Sequence, residues 1–197
     1  MTNTHGILFV ISAATGCGKT TLVKEVLKKL PHTIYITRAV TYTTRPARHN
    51  ESSDIDYHFL SLEDFNHKKA EGFFLETTLY DHNWYGSSKD ILDQLQYGQS
   101  VLLITDFAGA KNIRHLVPEA VLIWIDAPSV ATLIARLQGR KSERGVDLQE
   151  RIDLARQEVM TEKSAEHVDL FDYHIINDDL TAASNTLCTL IGNTLRR

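Results

Sequence analysis

The segment SAATGCGKTT, residues 12–21, constrains the fold of this chain more than any other stretch. It follows the apolar run 6–11 and precedes a stretch with helical spacing. A strand, a glycine-bearing turn ending in Gly-Lys-Thr, and a helix form the context of a phosphate-binding loop. The inward N–H groups of such a loop and the helix N-terminus hold a polyphosphate. The segment therefore predicts a polyphosphate site, and the alternative is a buried strand–turn–helix without a ligand.

Two side chains of this loop predict its chemistry. We expect Lys19 to reach the β- and γ-phosphates of the ligand and the Thr20 hydroxyl to bind Mg²⁺. The usual pattern has a glycine five residues before Gly18, and this chain has Ala13 there. A Cβ at that position is tolerated if Ala13 has a negative φ and is costly otherwise.

Composition excludes several classes of protein. The 197 residues suffice for one α/β domain with small inserts. The formal charge of −4 lacks the basic excess of nucleic-acid-binding proteins, so we expect no nucleic-acid partner. Cys17 and Cys188 make no disulfide framework, and no Cys/His spacing suggests zinc. Because the N-terminus has no basic leader and no apolar run long enough for a bilayer, we expect no membrane partner and a cytoplasmic location.

The order of apolar segments predicts an α/β fold with a central parallel sheet flanked by helices. The segments 101–106 and 121–126 are apolar on both faces, as buried parallel strands are. We expect a core of residues 1–33 and 88–197. No linker along the chain separates two independent domains, so one core with appended movable parts is the economical interpretation.

Two inserts are expected in this core. Residues 34–87 have an antiparallel pattern and predict a small mixed α/β insert, whereas the charged segment 138–147 predicts a helical lid. Within the insert, residues 33–44 are rich in Ile, Val, Tyr and Thr and predict one strand.

Two helix starts are also predicted from local sequence. Ser87 or Ser88 is expected to cap the helix that follows the insert. Asp126, which precedes Ala-Pro-Ser at the end of an apolar strand, is interpreted as a second cap.

Polar residues of the insert predict a site for a second phosphate-bearing substrate. Arg45 and Arg48 lie three residues apart around Pro46, and two guanidiniums so placed can hold one phosphate with paired hydrogen bonds. The alternative is two solvated arginines in a loop. Tyr57 and Tyr85 can donate hydroxyls to the same phosphate, or they can be half-buried packing residues.

Two acidic residues predict contacts to the base and to the metal. Glu76 ends an apolar stretch, where a carboxylate suits a partner with two N–H donors such as the guanine edge. The alternative is an exposed carboxylate at a strand end. Asp106 ends a buried strand in the manner of the acidic residue that assists Mg²⁺ in phosphate-loop enzymes.

Four arginines cluster around the charged segment. They can neutralise a transferring phosphoryl group while a lid excludes water, or they can form a solvated charged face. They are Arg136, Arg140, Arg144 and Arg151.

In combination, these motifs resemble the guanylate kinase family, nucleoside monophosphate kinases that convert GMP and ATP to GDP and ADP. The resemblance extends from Ile7 to Leu190. Besides residues 12–21, it rests on the following motifs in the family's order: Thr43-Thr44-Arg45-Pro46-x-Arg48, Asp56-Tyr57-x-Phe59, Phe74-Leu75-Glu76, Asn83-x-Tyr85-Gly86-Ser87, Asp106-x-x-Gly109-Ala110, Pro128-Ser129, Arg136-Leu137-x-x-Arg140 and Ile176-Asn177-Asp178-Asp179.

The resemblance implies a role for each matching residue, with ATP and Mg²⁺ as cofactors and a monomer or homodimer as the assembly. For GMP it implies Thr41, Arg45, Arg48, Tyr57, Glu76, Tyr85, Ser87 and Asp106. For ATP it implies Ala14, Thr15, Gly16, Cys17, Gly18, Lys19, Thr20, Thr21, Arg136 and Asn177. The implied catalytic residues are Lys19, Arg48, Arg140 and Arg151, and the implied metal residues are Thr20 and, through water, Asp106.

Two other functions remain open at this point. Non-catalytic guanylate-kinase-like modules bind proteins, but they usually lose the phosphate loop, whereas Lys19 and Thr20 are present here. A related kinase for a ribose phosphate would be expected to lack Thr41, Glu76 and the arginine pair. One departure from the family concerns the metal, because Ile104 stands where the family has a second carboxylate.

Overall fold

The computed structural model describes residues 5–49, 51–139, 146–161 and 165–196. Two compact units make up the chain, the first comprising Met1–Val10 and Tyr35–Ala120 and the second Ile11–Ile34 and Val121–Arg197. Most of the predicted lid, with Arg140 and Arg144, lies outside the described residues. The division into a core and an insert at residues 34–87 stays a prediction.

The elements alternate as the apolar pattern indicates. The strands are β1 (Leu8–Ala13), β2 (Ile36–Arg38), β3 (Tyr42–Thr43), β4 (His58–Phe59), β5 (Phe74–Tyr80), β6 (Asn83–Ser88), β7 (Ser100–Ile104), β8 (Val121–Asp126) and β9 (Tyr173–Ile176). The helices are α1 (Lys19–Lys29), α2 (Leu62–Ala70), α3 (Asp90–Gln96), α4 (Phe107–Leu116), α5 (Val130–Gln138), α6 (Val146–Thr161), α7 (Ala165–Leu170) and α8 (Leu180–Thr194).

Strand β1 belongs in part to each unit. The first unit orders its strands β2-β7-β1 and the second β1-β8-β9. Strand β2 pairs with β7, and β8 with β9, in parallel. All six residues of β1 are buried, as are most of those in β7 and β8, because these strands carry apolar side chains on both faces. The predicted α/β class is confirmed.

The first unit also contains a four-stranded mixed sheet. Its order is β4-β3-β6-β5, in which β5 and β6 form an antiparallel hairpin and β3 pairs in parallel with β4. A stacked aromatic pair, Phe65 from α2 and Phe74 from β5, packs beneath one face of this sheet with ring centroids 4.6 Å apart. The opposite face of the hairpin carries the polar residues described below.

The single strand predicted for residues 33–44 is wrong. Two short strands replace it, because β2 pairs with β7 whereas β3 pairs with β4 and β6. Residues 39–41 form the connection between the two sheets. β-Branched and aromatic composition indicates extended backbone, but it does not say which partner each part of the segment pairs with.

The two predicted caps also differ from the structure. Lys89 occupies the N-cap position of α3, while Ser87 and Ser88 are the last residues of β6; the Ser88 hydroxyl still accepts from the Asp90 N–H at 3.2 Å. Ser129, not Asp126, caps α5 by accepting from the Thr132 N–H. A serine directly before the helix can bend back to its first turn, whereas an acid three residues earlier is still in the strand.

In the second unit, helix α6 packs on α5 through a small apolar cluster. Leu137 of α5 lies against Ile152 and Ala155 of α6, and Ile134 and Leu148 extend the contact. Ile152 and Ala155 are three residues apart and therefore share one face of α6. In the parts of the chain that the structure describes, no helix combines the length and apolarity needed to cross a membrane.

Candidate active site

The loop between β1 and α1 has the backbone that its sequence predicts. Gly16 and Gly18 have φ values of 89° and 85°, in the left-handed region where a side chain would be strained. Ala13 is the last residue of β1 and is not among the residues with positive φ, so its Cβ is tolerated. Gly18 is the N-cap of α1 and carries no side-chain cap, and the first turn of α1 contains no acidic residue. This helix start therefore presents a positive, uncapped end to the loop.

Lys19 folds back across the loop. Its Nζ donates to the Ala13 carbonyl at 2.6 Å and to the Ala14 carbonyl at 3.3 Å. Two backbone oxygens at the start of the loop therefore hold this ammonium. Thr20 follows in the first turn of α1 and is half-buried.

Arg136 and Asn177, which the resemblance assigns to ATP, both reach this loop. The Asn177 side chain is buried, and its Nδ2 donates to the Cys17 carbonyl at 2.8 Å. Arg136 donates to the Asn177 carbonyl at 2.8 Å and, more weakly, to the Cys17 carbonyl at 3.5 Å. The two residues hold the loop from the end of β9 and from α5, which limits the positions its N–H groups can take.

Thr15 is contacted twice by helix α6. Arg151 Nη2 donates to Thr15 Oγ1 at 3.1 Å, and the Thr15 N–H donates to Glu158 Oε2 at 2.7 Å. Arg151 is a predicted catalytic residue, whereas sequence reasoning did not single out Glu158. A usable signal was its spacing, since it lies two helical turns after Arg151 and hence on nearly the same face.

In the first unit, Arg45 and Arg48 are both held by Glu51. Arg45 Nη2 lies 2.9 Å from Glu51 Oε1, and Arg48 Nη1 lies 3.6 Å from the same oxygen. Glu51 Oε2 accepts from the backbone N–H of Arg48 at 2.9 Å. The carboxylate therefore gathers the two guanidiniums, and it was also missed; an acid three residues after Arg48 in a short loop was the available signal.

Tyr57 and Tyr85 lie beside this arginine pair. The Arg45 guanidinium carbon is 5.4 Å from the Tyr57 ring centroid, a cation–π distance, and the two tyrosine rings meet edge to face at 6.1 Å. Burial raises the pKa of the Tyr57 hydroxyl, so this group remains a hydrogen-bond donor near neutral pH. The structure thus brings two cationic and two hydroxyl donors together.

Glu76 is a buried acidic residue of the predicted GMP site. A bulge in β5 between Phe74 and Glu76 places Glu76 opposite Ser87 of β6. The Ser87 hydroxyl donates to Glu76 Oε1 at 2.7 Å, while Oε2 is buried and has no hydrogen-bond partner among the described residues. The Glu76 residue is 6% exposed.

Burial chiefly sets the titration of this carboxyl. It raises the pKa of Glu76 from 4.5 to about 7; the hydrogen bond from Ser87 opposes this effect, and the charge of Asp106 adds to it. A buried carboxylate oxygen without a partner carries a free-energy cost that a ligand with N–H donors would remove.

Thr41 and Asp106 have structural partners as well as predicted ligands. Thr41 is buried immediately before β3, and its carbonyl accepts from the His58 N–H. Asp106 caps α4, where Oδ1 accepts from the Gly109 N–H at 2.7 Å, and Oδ2 accepts from the Thr78 hydroxyl at 2.7 Å. Nowhere in the described ranges do three or more His, Cys, Asp or Glu side chains come together as a metal site.

Comparison with known proteins gives a consistent result. The family model described as guanylate kinase matches residues 6–194. A guanylate kinase of Legionella pneumophila (strain Paris) is 36% identical over 198 aligned positions, covering 100% of this chain and 90% of the relative. A guanylate kinase of Neisseria meningitidis serogroup A is 40% identical, covering 95% of this chain and 87% of the relative.

Solved structures show the same fold. The crystal structure of guanylate kinase from Anaplasma phagocytophilum matches with a TM-score of 0.77 at 24% identity, covering 98% of this chain and 88% of that one. A gluconokinase from Sinorhizobium meliloti matches with a TM-score of 0.51 at 12% identity, covering 98% of this chain and 95% of that one. The predicted phosphate-loop kinase fold is confirmed, and the extent and identity of the sequence matches place this chain in the guanylate kinase family.

Proposed function

We propose that this protein transfers the γ-phosphate of ATP to GMP, and to dGMP, giving ADP and the guanosine diphosphate. The assignment of the acceptor rests on Glu76. Its Oε2 is buried and has no hydrogen-bond partner among the described residues, while its Oε1 accepts from the Ser87 hydroxyl. The guanine edge offers N1–H and the 2-amino group, which would satisfy this carboxylate. Adenine presents no such pair of donors there, so the same site would leave the carboxylate unpaired and reject AMP.

The acceptor phosphate is assigned to the arginine pair. Arg45 and Arg48 converge through Glu51, with Tyr57 beside them, and this arrangement suits a dianionic phosphate monoester. The assigned contacts involve only the base and the phosphate. Because GMP and dGMP differ only in the sugar, we include dGMP as an acceptor. Thr41 and Ser87 complete the contacts proposed for the base.

The donor is assigned to the loop of residues 14–21. Its uncapped helix start and Lys19 suit the phosphates of ATP. Thr20, with Asp106 through water, would hold Mg²⁺, a small set that fits an ion which keeps several waters and binds largely through substrate phosphates. When bound, Mg²⁺ neutralises charge on the ATP phosphates.

The reaction as proposed needs no general base from the protein. A phosphate monoester has a second pKa of about 6, so the attacking oxygen of GMP is already largely deprotonated at neutral pH. Lys19 and Arg151 would stabilise charge on the transferring group, and Arg48 would hold the acceptor phosphate in line with it. Arg140 keeps its predicted catalytic role but lies outside the described residues.

The test is a coupled assay of ADP release from ATP with GMP, dGMP, AMP, CMP, UMP and a ribose phosphate as acceptors. We expect turnover with the two guanine nucleotides and at most about 10⁻³ of that rate with the others, because unpaired buried polar groups discriminate strongly. ADP release with none of these acceptors would instead favour a protein-binding module. Release with a ribose phosphate but not GMP would favour the other kinase considered above.

A further inference from the structure

We propose that Glu158 is a positioning residue, which fixes helix α6, and with it Arg151, on the phosphate loop. Its effect on catalysis depends on the proposed kinase reaction, whereas its structural role does not. Helix α6 contacts Thr15 at both its side chain and its backbone.

The two contacts come from one helix face. Arg151 and Glu158 are seven residues apart, which corresponds to nearly two full turns and a separation of about 10 Å along the axis. A single contact leaves a helix free to pivot about that point. Two contacts that start from separate turns of the helix and end on the same residue restrict both the rotation and the sliding of the helix. Thr15 is therefore the fixed point against which the position of Arg151 is set.

The apolar packing of α6 does not supply this restriction. Ile152 and Ala155 pack against Leu137 through contacts that are non-directional, and such an interface tolerates small shifts of a helix. The contact between the Thr15 N–H and Glu158 is short, at 2.7 Å, and involves an ionisable acceptor. Charge-assisted hydrogen bonds of this kind are roughly twice as strong as neutral ones and are directional.

The contact between Glu158 and Thr15 also indicates which N–H groups of the loop are left for the nucleotide. The Glu158 carboxylate occupies the Thr15 N–H, so we assign the nucleotide phosphates to the N–H groups that follow, towards Gly18 and the start of α1. If Glu158 only competed with a nucleotide phosphate for the Thr15 N–H, ATP would displace it, and removing it would tighten ATP binding. The positioning role predicts the reverse pattern, with kcat lowered and the KM for ATP little changed.

The experiment compares Glu158→Ala and Glu158→Gln with Glu150→Ala, a control that removes an exposed carboxylate from the same helix. We expect Glu158→Ala to lower kcat by about 10- to 100-fold, since a displacement near 1 Å of a catalytic group can cost this much. The KM values for ATP and GMP should stay within about threefold of the wild type, because the phosphate contacts themselves are retained. Glu158→Gln keeps an acceptor oxygen at the same place and should recover most of the rate, and Glu150→Ala should match the wild type.

Three kinetic results would overturn the proposal: an unchanged kcat in Glu158→Ala, tighter ATP binding with no loss of rate, or a Glu158→Gln variant as slow as Glu158→Ala. A second readout does not need activity. The Thr15 amide proton should exchange with solvent slowly in the wild type and in Glu158→Gln, and at least tenfold faster in Glu158→Ala, because hydrogen exchange reports local opening.

This amide readout separates the two proposals. A wild-type protein that turns over no nucleotide would refute the kinase assignment, while protection of the Thr15 amide would still support the attachment of α6. Equal exchange of this amide in the wild type and Glu158→Ala would refute the attachment whatever the activity.

Discussion

Replacing Glu76 by glutamine should stabilise the fold at alkaline pH and at the same time impair the use of GMP. The carboxyl is buried, and burial raises its pKa from 4.5 to about 7. Between these two values the folded protein keeps a proton that the unfolded chain has released, so stability falls as pH rises through this window. Each pKa unit corresponds to about 1.4 kcal/mol, so the full penalty above pH 7 is about 3 kcal/mol.

Glutamine has nearly the same shape and does not titrate, so it removes this penalty. The free energy of unfolding of Glu76→Gln relative to wild type should therefore rise from pH 5 to pH 8 by up to about 3 kcal/mol. Urea titrations at several pH values without nucleotide measure this difference. Glu119→Gln, at an exposed carboxylate, is the matched control and should show no such trend. Parallel stability profiles for wild type and Glu76→Gln would refute the reasoning about burial.

The same variant should lose activity with GMP. The glutamine amide would direct an N–H group towards the guanine donors, and a mispaired buried polar contact of about 3 kcal/mol lowers kcat/KM by about 100-fold. In the wild type, kcat/KM for GMP should rise with pH through a value near 7, as Glu76 ionises. The variant should keep only the rise in kcat/KM that comes from ionisation of the GMP phosphate, at about pH 6. An unchanged profile in Glu76→Gln would contradict the assignment of Glu76 to the base.

Three further substitutions test the rest of the site. Ser87→Ala removes the hydrogen bond that favours the ionised carboxyl, so the pKa of Glu76 should increase and the rise in kcat/KM for GMP should move to higher pH; an unmoved profile contradicts this. Glu51→Ala releases both arginines and should raise the KM for GMP by about tenfold with the KM for ATP unchanged, whereas an equal rise in both would indicate general damage. Lys19→Ala should lower kcat by about 10³-fold, since it removes a charge from the transferring phosphates, with an unchanged circular dichroism spectrum; near-normal turnover would remove Lys19 from the mechanism.

Local signals were sufficient for much of the fold. The phosphate loop needed no tertiary information, because its glycines, Lys19 and the flanking periodicities all lie within one short segment. The helix caps Ser61 and Asp179 are local in the same sense, since each accepts from the N–H group three residues later. The motif order from Ile7 to Leu190 predicted the family, and the sequence comparison confirmed it.

Local sequence did not predict which strands pair with each other. Residues 33–44 have uniform strand composition, but β2 and β3 belong to different sheets because each is completed by a distant segment. The bulge that places Glu76 opposite Ser87 depends on the register of the whole hairpin. A shift of this register by one residue would move the Glu76 side chain to the other face of the sheet.

Sequence alone determined which chemical groups this protein possesses: a phosphate loop, an arginine pair, a carboxylate at a strand end and a cluster of later arginines. Only the tertiary structure decided how those groups are held. Glu51 gathers Arg45 and Arg48, and Glu158 joins α6 to Thr15, a residue far away along the chain. Such partners are chosen by proximity in the folded chain, and burial, which sets the titration of Glu76, is likewise a property of the fold.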